Sequence, residues 1–110
     1  MVPMPSMIRH LDVTANPLRA VRAEKPYLVC VQHNLLQRLN FRVMAPLVIR
    51  RAGYKVSRLY PAIGINDTEL FFDPTDLLTL PLRLLKAPVA NLDADRDRIV
   101  AALDLVFTGT

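Results

Sequence analysis

The chain contains no tryptophan, one cysteine (Cys30), two histidines and three glycines. A single cysteine excludes an internal disulfide and fits a reducing cytoplasm. Cys30, His33 and His10 cannot assemble the set of at least about three His, Cys or carboxylate ligands that a zinc centre needs unless carboxylates join them. Positions 30 and 33 would point to opposite faces of a strand, so Cys30 reads as a small core residue and no metal or cofactor is expected. The three glycines form neither G-x-x-x-x-G-K-S/T nor G-x-G-x-x-G, which argues against a loop that cradles phosphates. Apolar runs are short; Tyr27 to Val31 is typical and far below the length that crosses a bilayer. The opening MVPMPSMIRH has two prolines and no apolar signal region. It reads as a flexible leader over residues 1–10, with Met7 as a candidate start, before a single domain over 11–110.

Acidic residues are absent from Lys25 to Asn66, where Lys25, Arg38, Arg42, Arg50, Arg51, Lys55 and Arg58 give +7. From Asp67 onward eight acids face four bases, a net of −4. This polarity favours an anionic partner on one face, either nucleic acid or an acidic protein segment. Hydrophobic residues make up 52 % of the chain, enough to build a core.

Nine prolines among short apolar runs predict a mainly β fold. The expected strands are Leu11–Thr14, Tyr27–Gln32, Arg42–Val48, Arg58–Ile65, Glu69–Phe72 and Leu82–Leu85. Asn66-Asp67 predicts a hairpin turn. Pro46 and Pro81 lack N–H donors and assign their strands to edges, starts or bulges.

Sustained helical period occurs only in the segment from Asp93 (DADRDRIVAALDLVFTGT). Asp93 is the expected N-cap, and Asp95 and Asp97 suit the positive end of the helix dipole. Ile99, Ala102, Leu103 and Val106 form one apolar stripe. Val100, Leu103 and Phe107 form a second, turned by about 100°. One stripe is expected on the core and the other on a second chain. The three aspartates mimic the start of a calcium loop, but Arg98 occupies the position where that loop requires glycine. Single-strand RNA readout would use clustered bases with stacking aromatics, here Tyr27, Phe41, Tyr54 and Tyr60. Cleavage would also need a general acid or base, and the basic stretch offers only His33.

The stretches LDVTANP, PYLVCVQHNLLQRLNFRVMAPL, LYPAIGINDTELFF, DLLTLP and VANLDADRDRIVAALDLVFTG, in this order from Leu11 to the end, resemble the CcdB family of bacterial toxins. The resemblance implies an SH3-like barrel of the CcdB/MazF kind, with a small additional sheet and one C-terminal α-helix, assembled as a homodimer. It implies a toxin that is not an enzyme and that poisons DNA gyrase by binding its A subunit and trapping the cleaved DNA. It further implies neutralisation by an acidic-tailed, CcdA-like antitoxin, and joint repression of their operon. The implied gyrase contacts are Leu35, Leu36, Asp104, Phe107, Thr108, Gly109 and Thr110. The expected dimer contacts are Val100, Leu103 and Phe107. Arg38, Arg42, Arg50 and Arg51 are the candidate contacts for the acidic antitoxin. The family's closing Trp-Gly-Ile is here Thr108-Gly109-Thr110, which predicts weaker gyrase binding or a gyrase with an altered groove. Two alternatives stay open: a MazF-type endoribonuclease on a similar barrel, and a non-toxic homologue that only binds its antitoxin.

Overall fold

The computed structural model describes residues 8–49 and 55–109. Among the described residues seven strands precede one helix: β1 (Asp12–Ala15), β2 (Tyr27–Cys30), β3 (Phe41–Ile49), β4 (Ala62–Ile65), β5 (Thr68–Phe72), β6 (Leu78–Pro81), β7 (Ala90–Asn91) and α1 (Arg96–Phe107). All pairings are antiparallel. The strand order is β4-β5-β3-β2-β1-β7, with β6 also paired to β3. The result is a nearly closed, barrel-like sheet in which β7 is a small extra strand.

β3 controls the shape. One edge pairs with β2. The other pairs first with β6, over Phe41 to Met44, and then with β5, over Leu47 to Ile49. Pro46 sits where this edge changes partner. Its carbonyl accepts from the Asp73 N–H, so its missing donor faces the gap between β6 and β5. The proline therefore lies inside a central strand, not at an edge, and interrupts no ladder bond.

Both faces of the sheet are buried, and the two-residue period sorts side chains between them. Val29, Ala45 and Leu47 join Val13, Phe72, Ile99 and Ala102 in the core under α1. Leu28, Cys30 and Met44 point the other way and pack with Ile8, Leu80 and Leu85. This two-sided burial explains uninterrupted apolar runs such as Tyr27–Cys30. Asn66 and Asp67 both take positive φ, 49° and 64°, between the paired residues Ile65 and Thr68, as a tight hairpin of primed type requires. Leu11 is less expected at φ 69°. A buried leucine is costly in that region; it is held by its N–H donating to the Cys30 carbonyl at 2.7 Å.

Several expectations change. The strand anticipated from Arg58 begins only at Ala62, because Tyr60 N–H bonds the Ser57 hydroxyl and folds 57–60 into bends. Leu82–Leu84 is a 3-10 turn, and the strand precedes it as β6. Asp93 does not cap α1. It opens a 3-10 turn, Asp93–Asp95, and its own N–H is bonded by the Asn91 side chain. Asp95 occupies the N-cap position without a side-chain cap, since its carboxylate accepts from Arg98 instead. Residues 8–10, assigned to the leader from sequence, include a buried Ile8.

Candidate functional site: two apolar patches and a basic rim

The residues expected to meet gyrase fall into two groups. The first is a knuckle between β2 and β3, where Asn34–Leu36 forms a 3-10 turn. Leu35 is 86 % exposed and Leu36 51 %. Buried apolar area drives association, and these adjacent leucines present such area to water at the turn. His33 caps the turn, its Nδ1 accepting from Leu35 N–H at 3.0 Å. The Asn34 side chain accepts from His10 N–H at 2.9 Å. A cleft of about 420 Å³ beside the knuckle is lined by Asn34, Leu35, Gln37 and Arg38.

The second group lies at the end of α1. Ile99 and Ala102 are fully buried and Leu103 packs on the same core, as one stripe predicted. Val106 is 38 % exposed, so that stripe leaves the core before the helix ends. In the other stripe Val100 is half-buried and Phe107 stands 66 % exposed. Asp104 is exposed. Its carbonyl accepts from the Thr108 N–H, the Thr108 hydroxyl and the Gly109 N–H. Gly109 has φ +74°, the left-handed cap conformation that glycine adopts without a Cβ penalty. Thr108 and Gly109 thus close the helix beside Phe107. Thr110 lies outside the described residues.

The knuckle is tied to the opposite end of α1. The His10 and His33 rings lie 6.1 Å apart, and the Asn91 side chain, just before the 3-10 turn, donates to the His10 carbonyl. Phe107 comes eleven residues after Arg96, roughly 16 Å along the helix. His10 Nδ1 is buried without a partner. Burial lowers the His10 pKa from its ordinary 6.5; a backbone hydrogen bond at Gln32 opposes this, Arg96 and His33 add to the lowering, and Asp93 opposes it weakly. Cys30 is fully buried, as expected for a core thiol, and burial raises its pKa from 9.0.

The basic stretch is less available than its sequence suggested. Arg42 is 1 % exposed, with its guanidinium donating to four backbone carbonyls. That corrects its assignment to an antitoxin-facing surface: it is a structural cation. Lys25 pairs with Asp76. Arg38, Lys55 and Arg58 are exposed, whereas Arg50 and Arg51 lie outside the described residues. A further apolar cleft of about 400 Å³, lined by Val56, Ser57, Arg58, Pro61 and the α1 residues Asp97, Arg98 and Ala101, was not foreseen.

Among the described residues no group of three or more His, Cys, Asp or Glu side chains is placed to hold a metal ion, and no helix is long and apolar enough to cross a membrane. The chain is thus a small helix-capped β-barrel that carries exposed apolar patches. It belongs to the CcdB family: the family model described as "CcdB protein" matches residues 10–109. In fold it is similar to an endoribonuclease in complex with its cognate antitoxin from a mycobacterial species. That likeness has a TM-score of 0.70 at 18 % identity, over 87 % of this chain and 90 % of the other. A second mycobacterial endoribonuclease is similar at a TM-score of 0.66 and 17 % identity, over 87 % of this chain and 86 % of that one.

Proposed function

We propose that the protein is the toxin of a bacterial toxin–antitoxin module. It binds the A subunit of DNA gyrase through the Leu35–Leu36 knuckle and the Phe107 end of α1, and it traps the cleaved DNA complex. The observation that carries this reading is the family match over residues 10–109, joined to the exposure of Leu35 and Phe107. No bond in the protein is made or broken; the work is done by docking. The protein acts as a homodimer, with Phe107 and Val100 on the side of α1 that its own core leaves uncovered. The acidic antitoxin segment meets Arg38, with Arg50 and Arg51 as further candidates, and joins the toxin in operon repression. Arg38 and Leu35 line one cleft, so an antitoxin bound at Arg38 covers the knuckle, and neutralisation follows by occlusion.

The Thr108-Gly109-Thr110 tail tunes this action. An interface tryptophan is worth roughly 2 kcal/mol or more, about thirtyfold in affinity, and a terminal isoleucine side chain adds roughly 1.5 kcal/mol. The protein therefore binds a gyrase suited to Trp-Gly-Ile weakly, or meets a gyrase whose groove is altered to match. The decisive experiment incubates purified protein with supercoiled plasmid, ATP and gyrase, from its own host and from a host whose toxin ends in Trp-Gly-Ile. Linear DNA should accumulate with the host enzyme after protein denaturation, and addition of the antitoxin should abolish it. Failure to accumulate linear DNA with the host enzyme would refute gyrase poisoning. Strong trapping of the second enzyme would refute the tail argument.

The endoribonuclease reading is kept alive by the fold likeness alone. His10 and His33 form a ring pair, but His10 Nδ1 is buried and His33 Nδ1 is occupied by the Leu35 N–H. With Nδ1 accepting, the ring proton of neutral His33 sits on Nε2, so the pair by itself does not decide against acid–base use, and the preference for docking rests on the family match. Specific cleavage of RNA by the purified protein would reverse this preference.

A further inference from the structure

The knuckle that carries Leu35 and Leu36 is fastened from inside by two buried polar side chains. Gln32, 5 % exposed, donates from Nε2 to the carbonyls of Leu36 (3.1 Å) and Phe41 (3.2 Å), and its Oε1 accepts from Val43 N–H (3.1 Å). Arg42 donates from Nη2 to Gln37 O (2.9 Å), from Nη1 to Leu39 O and Phe41 O (both 2.9 Å), and from Nε to Ile8 O (3.0 Å). Each carbonyl from the turn back to β3 that these groups meet would otherwise need water or a regular ladder partner. A charge is seldom buried without compensation, because leaving water is expensive. Here the compensation comes from main-chain oxygens, so the cation acts as a clamp on the chain path. Gln32 and Arg42 reach the loop from its two sides, since one follows β2 and the other lies in β3.

We propose that Gln32 and Arg42 are positioning residues that hold the knuckle in its docking conformation before any partner arrives. This rests on the reading of Leu35 and Leu36 as gyrase contacts. A loop ordered in advance loses little conformational entropy on binding, whereas a loop ordered by the partner weakens the complex. Neither side chain touches the partner; both act through where Leu35 and Leu36 stand.

The test uses the full-length protein with Gln32→Met, Arg42→Lys and Leu35→Ala, singly and as the two pairs with Leu35→Ala. Binding to purified gyrase A subunit is measured by calorimetry, and amide exchange of the free protein by NMR. Gln32→Met keeps the volume of the side chain and removes its bonds to the loop. We expect it to weaken binding about tenfold, and to speed exchange at Leu36 and Leu39 while Val29 and Ala45 in the β2–β3 ladder stay protected. A residue with a purely stabilising role would not confine its effect to the knuckle. In combination with Leu35→Ala the losses should fall short of their product, as coupled residues do. A Leu35→Ala loss accompanied by parent-like affinity in Gln32→Met, or by multiplicative double-variant losses, overturns the positioning role alone. Parent-like affinity in Leu35→Ala overturns the gyrase-docking reading and the positioning role together. Should a variant fail to fold, the parent protein still decides. Exchange at Leu36 and Leu39 near free-peptide rates would show that no ordered knuckle exists.

Discussion

Phe107→Ala separates what α1 does for its own barrel from what it does for a second chain. With two thirds of Phe107 in solvent, the truncation removes little packing from the protomer. The intrinsic preference of a helix for alanine over phenylalanine, a few tenths of a kcal/mol up to about 0.5, acts in the opposite direction. The folding stability of the monomer should therefore stay within about 0.5 kcal/mol of the parent. The dimer behaves differently if Phe107 lies at its interface. Full burial of a phenylalanine side chain is worth roughly 1.5–3 kcal/mol. With the exposed two thirds left to bury, each copy gains roughly 1–2 kcal/mol. A two-fold interface counts each residue twice, so the variant should raise the dimer dissociation constant by roughly 2–4 kcal/mol, or about thirtyfold to several hundredfold. Sedimentation over a concentration series reads the dissociation constant, and urea melts well below it read the protomer. An unmoved dimer constant would remove Phe107 from the interface. A large loss of protomer stability would show that its exposed ring packs on its own barrel after all.

Ile99 is fully buried under the sheet, and Ile99→Ala should cost roughly 2–5 kcal/mol of stability; a urea midpoint equal to the parent's would contradict the placement of α1 on the core. His10 gives stability a pH dependence. Its folded pKa is below the 6.5 of the unfolded chain, so the unfolded state binds the proton more readily. The His10 contribution is complete above about pH 6.5, falls as pH drops toward the folded pKa, and is flat below it. His10→Asn should therefore flatten the stability profile as pH falls below about 6.5, and an unchanged slope would count against burial of the ring. Cys30, with its thiol buried and its pKa raised, should resist iodoacetamide at pH 8 in the native protein and react once urea unfolds it. Native-state labelling at the rate of a free thiol would exclude this core position.

Much of the frame was legible because local chemistry and tertiary packing agree. Asn66-Asp67 specified a turn that only residues tolerant of positive φ accept readily, and the Ile99–Ala102 stripe was core on period alone. The failures occur where a side chain's job is set by distant backbone. Arg42 counts as surface charge in a linear scan. Two positions from Met44 in an alternating strand, however, it shares the inward face, and that spacing was the available signal. Asp93 had the right chemistry for a cap, but Asn91 bonds its N–H and a 3-10 turn intervenes before α1. Between Leu77 and Leu85 apolar residues run through Pro81, so periodicity could not say on which side of the proline the strand would lie. Pairing with β3 placed it before. Of the candidate site, Leu35 and Phe107 stand exposed, while the partners of Gln32 and Arg42 behind the knuckle were not legible because they are main-chain carbonyls.

Likeness to endoribonucleases and membership of the CcdB family are compatible because a fold does not fix an activity. The two functions make opposite demands on the loops of such a barrel. Cutting a phosphodiester needs polar groups with free lone pairs or protons facing a solvent-filled groove. Docking on a protein needs hydrocarbon outside and main-chain polarity satisfied within. Between β2 and β3 the Gln32 amide, the Arg42 guanidinium and His33 Nδ1 bond backbone, while Arg38 stays in solvent. Leu35 and Leu36 face water. On the proposed reading a loop built in that sense is gripped by its partner, and loss of the Gln32 or Arg42 bonds would unfasten the turn on which its leucines stand.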